Sequence, residues 1–257
     1  MPELSIRVLG PIEVAVDDEV VVVGGRNQRA VLVGLVLSLN HAVSADQLAL
    51  AIWGDDPPPS AHATLQSHIS HLRTLLGDSI RFADDAYTLC IDPTRVDSVM
   101  FERLVQEARL ALGFDAMEAR FRAISALQMW RGDAFGDLGD EEFTAIEARR
   151  LDLLRQEAIE LRLEADIQLG EYESAIGHLQ AAIDDDPYRE HLWYLMMTAL
   201  ARAGRRVEAL RSYRQVSELL ATAGLDPSSD LTDLEQQILL ETPPVKARLV
   251  RHPETAY

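Results

Sequence analysis

The sequence predicts a mostly helical protein with a small β component confined to its N-terminal third. Three observations carry this reading. Apolar residues alternate at period two over residues 4–23, they recur at helical spacing from Asn27 onward, and a 34-residue repeat marks the second half of the chain. A length of 257 residues suits two domains of roughly 100–150 residues each.

Ile6 and Val8, then Ile12, Val14 and Val16, alternate with other residues, and Val20–Val23 follows the turn-like pair Asp17-Asp18. This stretch reads as strands closed by Gly24-Gly25. Beyond it, Ala30, Leu32, Val33, Leu35, Val36 and Leu39 are dense enough for a buried helix ending at Asn40. Ser44-Ala-Asp-Gln47 is a capping-box sequence, in which the serine accepts from a backbone N–H and the glutamine reaches back. It opens a short helix carrying Leu48, Ala49, Ile52 and Trp53, stopped by Gly54. A stiff run, Asp55-Asp56-Pro57-Pro58-Pro59-Ser60, leads to a third helix that ends at Gly77. Leu65, Ile69, Leu72 and Leu76 share one narrow sector of that helix and are its core face. The opposite face carries Ser60, Ala63, Thr64, Ser67, Ser70, His71 and Thr74, flanked by Gln66 and Arg73. Two short runs, residues 80–82 and 87–91, flank Ala83-Asp84-Asp85-Ala86 and read as a β-hairpin.

After Pro93 the pattern is helical, with a pair of helices expected around 97–112 and 115–130. Leu161, Ala165, Gly170 and Ala175 recur as Leu195, Ala199, Gly204 and Ala209, each displaced by 34 residues. That is the tetratricopeptide period, in which small residues let paired helices approach and glycine ends the first helix. Asp186-Pro187 and Asp226-Pro227 punctuate the two units. The domains expected are therefore residues 1–92, residues 97–240, and a flexible tail over 241–257 with Pro243-Pro244 and three basic residues.

Composition narrows the function. The longest apolar run spans ten residues, 30–39, where a bilayer crossing needs about twenty, so no membrane partner is expected. The N-terminus lacks a basic segment followed by an apolar one, and the single cysteine, Cys90, excludes an internal disulfide framework. Both favour a cytoplasmic protein. Net charge is −18; the first 92 residues hold five Arg and no Lys against twelve acidic residues. Such a balance weighs against nucleic acid, because binding DNA means neutralising phosphates. No Gly-rich phosphate loop, GxSxG or HExxH is present, so no catalytic residue and no cofactor is expected. His68 and His71 could share a metal at i,i+3, but no cysteine is near and His62 lies about two turns away, so no metal is expected. Trp53, Trp130, Trp193 and Cys90 read as core, and Asp184-Asp185-Asp186 as a solvated loop.

Across nearly its whole length the sequence resembles the antibiotic-regulatory activators of Streptomyces and other actinobacteria, the Streptomyces antibiotic regulatory protein (SARP) family. Leu9-Gly10-Pro11, Arg26-Asn-Gln-Arg29-Ala30, Ile52-Trp-Gly-Asp-Asp-Pro-Pro58, and Ser60-Ala61 through Thr64-Leu65-Gln66 to Ser70-His-Leu72-Arg73 carry the resemblance in the first part. Trp130-Arg-Gly132, Pro187-Tyr-Arg-Glu190 with Leu192-Trp193, Gly204-Arg205 with Glu208-Ala-Leu210, Tyr213-Arg214 and Gly224-Leu-Asp-Pro227 carry it in the second.

The resemblance implies an N-terminal OmpR-like winged helix-turn-helix followed by an all-α, tetratricopeptide-like bacterial transcriptional activation domain. It implies an activator that binds double-stranded promoter DNA at direct repeats, as a homodimer on DNA, and recruits RNA polymerase holoenzyme, with a secondary-metabolite gene cluster as the regulated target. Neither a receiver domain nor room for an ATPase or phosphopeptide-binding module is read. The DNA-contact set expected on this basis is Ser60, His62, Thr64, Gln66, Ser67, Ser70, His71 and Arg73 on the third helix, Arg81 and Tyr87 on the hairpin, and Arg26 and Arg29. Gly54, Asp55, Asp56 and Pro57 are the expected polymerase contact. Two departures stand out. Positions 62 and 71, usually basic in the family, are His, and the hairpin tip, usually basic with a glycine before Tyr87, reads Asp84-Asp85-Ala86. These leave open an acidic descendant that has lost DNA binding and serves as a protein-interaction or ligand-sensing module.

Overall fold

The computed structural model describes residues 4–17, 19–54 and 56–240, so the expected tail lies outside the described residues. Contacts divide the chain into two compact units, one up to Ala165 and one from Asp166 on.

The first unit begins with an antiparallel sheet of β1 (Leu4–Arg7), β2 (Glu13–Val16) and β3 (Glu19–Val21), in which Ile6 faces Val14. Helix α1 (Arg26–Leu37) follows and buries seven consecutive residues, Ala30 to Val36, which explains its near-continuous apolar run. Strand β4 (Val43–Ser44) leads into α2 (Ala45–Trp53), whose capping box is complete. Gln47 N–H donates to Ser44 Oγ at 3.1 Å, and Ser44 N–H donates to the Gln47 side chain at 2.9 Å. Such a cap contributes about 1 kcal/mol. Helix α3 (Ala61–Leu76) buries Leu65, Ile69, Leu72 and Leu76 against α1 and α2 and ends at Gly77. Strands β5 (Ile80–Ala83) and β6 (Ala86–Leu89) form the hairpin, and β4 adds to β6, giving the order β4-β6-β5. This is a winged helix-turn-helix.

The hairpin is tighter than the sequence suggested. Ala83 pairs with Ala86, so the turn has two residues, Asp84 at φ +51° and Asp85 at φ +58°. A two-residue hairpin turn needs positive φ at both central positions, and aspartate tolerates that better than most side chains. The left-handed conformation falls on the two aspartates, and Ala86, where the family usually has a glycine, is an ordinary strand residue. Cys90 is also corrected: it is half-buried at the end of the hairpin, not core.

Helices α4 (Asp97–Leu112) and α5 (Ala116–Leu127) follow, then α6 (Glu142–Gln168). The boundary expected between residues 92 and 97 is not where the contacts divide. Val96, Phe101, Val105 and Ala108 enter the same hydrophobic core as Ile6, Val8, Leu32, Leu35 and Leu72, and so do Trp130, Phe135 and Leu138. Polar contacts reinforce this continuity. Asp97, 8% exposed, accepts the Val8 N–H at 2.7 Å, the Leu9 N–H at 3.1 Å and an Arg131 N–H at 3.3 Å. Arg131 N–H donates to the Leu9 carbonyl at 2.8 Å, its guanidinium to the Pro11 carbonyl at 3.1 Å, and it pairs with Glu13 at 2.8 Å. Gly10 sits at φ +139°, where a Cβ would stand 2.9 Å from Arg131 Cβ, so the backbones meet without room for a side chain. Leu9-Gly10-Pro11 and Trp130-Arg131-Gly132 are thus the two halves of one joint. Trp130 lies beyond α5, edge-on to Phe101 with Arg155 over its ring at 4.6 Å.

In the second unit, α7 (Tyr172–Asp185), α8 (Glu190–Arg202), α9 (Arg206–Thr222) and α10 (Ser229–Leu240) pack each on the next, with α8 also meeting α10. The 34-residue repeat appears in the backbone. Gly170 at φ +84° and Gly204 at φ +76° end their helices alike. Glu171 N–H donates to the Asp166 carbonyl at 2.9 Å, and Arg205 N–H to the Leu200 carbonyl at 2.8 Å. Ala175 and Ala209 are both fully buried, as close helix approach requires. Glu190 accepts the Ser228 N–H at 2.7 Å ahead of α10, and Trp193 donates to the Pro187 carbonyl at 2.9 Å. Asp184 and Asp185 are corrected from loop to the last turn of α7, with Asp186 as its cap.

Candidate nucleic-acid interface

The polar face of α3 follows from its spacing: with Leu65, Ile69, Leu72 and Leu76 turned inward, the residues between them must face out. Ser60, His62, Gln66, Ser67, Ser70, His71 and Arg73 are exposed and Thr64 is half-buried. The fold brings these eight together on one side of the helix and its flanks, with hydroxyl, amide and imidazole groups short enough to read base edges.

Charge divides this surface. Toward the start of α3, Asp46, Asp84 and Asp85 share a cleft of about 390 Å³ with Ser44, His62, Gln66 and Phe82. His62 Nε2 lies 3.1 Å from Asp46 Oδ1. Toward its end, Arg73 and Arg81 line a shallow groove with Asp78, Ile80 and Phe82. Arg73 Nε–H donates to the Ile80 carbonyl at 3.2 Å, which steadies the guanidinium at the rim. Among the described residues neither arginine meets a carboxylate within ion-pair distance. His68 is half-buried with Nε2 unpartnered; burial, and then neighbouring His71, push its pKa below that of an ordinary histidine. It faces inward and is not part of the polar face.

Three of the expected contacts have other partners within the structure. Arg26 is paired with Glu141, and Arg29 with Asp137 at 2.6 Å and the Gly24 carbonyl at 3.0 Å. Both join α1 to the segment after α5 within the first unit, so a phosphate would compete with a carboxylate for each of them. Tyr87 is 5% exposed, with its ring 4.7 Å from that of Phe82; it is a core residue of the hairpin. Of the expected polymerase-contact loop, Gly54 caps α2 at φ +62°, Asp56 and Pro57 are exposed, and Asp55 lies outside the described residues. Asp46 and Phe82 were missed, because only the packing of α2 and the hairpin around α3 brings them to its face.

The two wing carboxylates give a direct check. Asp84→Asn with Asp85→Gly keeps a sequence suited to the left-handed turn while removing both charges. If the wing approaches a phosphate backbone, DNA affinity should rise roughly 3- to 10-fold at low salt, and the gain should fade as screening increases. A titration at two salt concentrations measures it; an unchanged affinity places the wing away from DNA.

Residues 96–239 match the model of the bacterial transcriptional activator domain, and residues 19–86 match the C-terminal module of transcriptional regulatory proteins. Regulatory protein DnrI of Streptomyces peucetius is 33% identical, with 93% of each chain covered. Regulatory protein AfsR of Streptomyces griseus is 35% identical over 92% of this chain, which spans only 24% of that longer protein. Among solved structures, Mycobacterium tuberculosis EmbR in complex with a low-affinity phosphopeptide superposes with a TM-score of 0.87 at 33% identity, covering 93% of this chain and 65% of that one. No described helix is long and apolar enough to cross a membrane.

Proposed function

The chain belongs to the Streptomyces antibiotic regulatory protein family of transcriptional regulators, and from that premise we propose that it binds promoter DNA through α3 and activates transcription at direct repeats. The observation that carries this reading is the α3 surface. Seven exposed polar residues surround one half-buried threonine on the helix and its flanks, with Arg73 and Arg81, neither ion-paired among the described residues, lining the groove at its end. In the major groove, Thr64, Ser67 and His71 would meet base edges, while Arg73 and Arg81 would hold flanking phosphates. Two copies on adjacent repeats would compensate for the few cations each copy supplies. The exposed Asp56-Pro57 segment between α2 and α3 faces RNA polymerase holoenzyme in this reading, and the regulated genes are those of a secondary-metabolite cluster.

Base reading and phosphate anchoring separate in a gel-shift series on fragments from neighbouring promoters. His71→Ala should change the preference among base substitutions by about 1–3 kcal/mol at one position and leave the others unchanged. Leu72→Ala marks the cost of misfolding, since a core cavity there removes about 2–5 kcal/mol of stability. A folded His71→Ala protein that reads every fragment as the wild type does would remove α3 from the groove and revive the protein-interaction reading.

A further inference from the structure

The α4–α5 hairpin carries a patch that the DNA reading does not use. Leu110 is 62% exposed, Phe114 83%, Met117 59% and Phe121 60%. Leu110 and Phe114 line a groove of about 280 Å³ together with Arg103, Glu107, Glu118 and Arg122. Met117 and Phe121, one turn apart on α5, lie beside it, and the Arg122 guanidinium stands 5.8 Å from the Phe121 ring centre. The inward face of the same hairpin is already satisfied: Phe101, Val105, Ala108, Ala119 and Ala123 are fully buried or nearly so. Folding of the first unit therefore does not require the outer apolar residues. Clusters of this size on a soluble surface mark sites of association.

Charge indicates the occupant. The chain as a whole carries 42 acidic against 24 basic residues, so two copies repel over most of their surface. Residues 97–127 hold five acidic and four basic residues and are close to neutral. The rim of the patch is balanced in place: Arg103 pairs with Glu107 at 2.8 Å, and Arg122 with Glu118 at 2.7 Å and Glu107 at 3.1 Å. A strongly acidic or basic partner finds no net opposite charge there. A second copy of the same face presents the same neutral rim and the same apolar centre. Four large side chains exposed to this degree offer roughly 500 Å² of apolar surface per copy, and twice that is about what a specific interface needs.

We propose that the α4–α5 face is a self-complementary interface through which two copies of this chain pair about a two-fold axis. Copies on a direct repeat are related by translation along the duplex and meet through two different faces. The α4–α5 pairing is separate from that contact and forms without DNA. Its failure would leave the α3 reading intact.

Sedimentation velocity of the full chain without DNA tests it. The wild type should show a concentration-dependent dimer. Phe114→Glu with Phe121→Glu should weaken the dimer by about 30-fold or more, with unchanged circular dichroism and melting, because both side chains are outside the core. Ile146→Glu, at an apolar residue of α6 that is 84% exposed, should leave the dimer unchanged. The symmetry is read by Met117→Cys in a Cys90→Ser background: only a two-fold contact brings residue 117 against its own copy, so a short thiol cross-linker should capture a dimer. A wild type that stays monomeric, as it would if another protein covers this face, overturns the proposal. So does a dimer indifferent to the Phe114/Phe121 change, or one that Met117→Cys does not capture.

Discussion

Replacing Asp97 by alanine should destabilise the first unit by about 2–4 kcal/mol, because it leaves two buried backbone N–H groups without an acceptor. The Val8 and Leu9 donors have no route to solvent at this point: Val8, Leu9 and Val96 are fully buried around the carboxylate. Arg131 keeps Glu13, so it is not stranded as a lone charge. Burial pushes the Asp97 carboxyl above the ordinary carboxylate range, and the Val8 and Leu9 N–H groups and Arg131 pull it down without cancelling that push. The charge itself therefore carries a desolvation cost, which offsets part of what its hydrogen bonds contribute. Asp97→Asn separates the two effects. It retains one acceptor without charge and should lose less than alanine. For a unit of this size the alanine loss corresponds to a fall in melting temperature of roughly 4–16 °C, read by calorimetry. An alanine variant that melts within a degree of the wild type would show that the joint between Leu9-Gly10-Pro11 and Trp130-Arg131-Gly132 is not held by this carboxylate.

Loss of both Arg73 and Arg81 should weaken binding to every promoter fragment by about 100-fold near physiological salt, since phosphate contacts carry no sequence preference. Among the described residues these two arginines of the first 92 meet no carboxylate, whereas Arg7, Arg26 and Arg29 pair with Glu13, Glu141 and Asp137. The salt dependence should be correspondingly shallow, on the order of two to four phosphates per copy, and the double alanine variant should flatten its slope by about two. Stability should change little, because both side chains are exposed and only the Arg73 hydrogen bond to the Ile80 carbonyl is lost. A slope near −10 for one wild-type copy would mean that cations outside α3 and the hairpin dominate. An unchanged slope in the variant would mean that these two guanidiniums do not touch the backbone at all.

Local rules made much of this molecule legible. The capping box at Ser44, the glycine stops at Gly54 and Gly77, the apolar sector of α3 and the spacing of Gly170 and Gly204 are decided within one or two turns of chain, where side-chain reach and backbone sterics act. Each appears in the structure at the residue where the sequence put it. The polar face of α3 was equally accessible, because it is the complement of an apolar sector. The hairpin was legible, but its turn is two residues rather than the four between the two runs: the register of β5 on β6 pairs Ala83 with Ala86, and that register comes with burying Ile80, Tyr87 and Leu89.

Sequence alone determined the class, the order of the elements, the repeat and the helix whose outer face is available, since all of these rest on periodicity and nearest-neighbour geometry. Tertiary structure alone decided which charges remain available. Arg26 and Arg29 look free in the sequence, and the segment after α5 brings Glu141 and Asp137 to them from more than 100 residues along the chain. Tyr87 looks like a wing contact until it packs on Phe82, and Asp46 looks remote until α2 sets it beside His62. Division into bodies was likewise decided by packing: Phe101 and Trp130 share a core with Ile6 and Leu72, a choice made by buried apolar area and shape that no local pattern records.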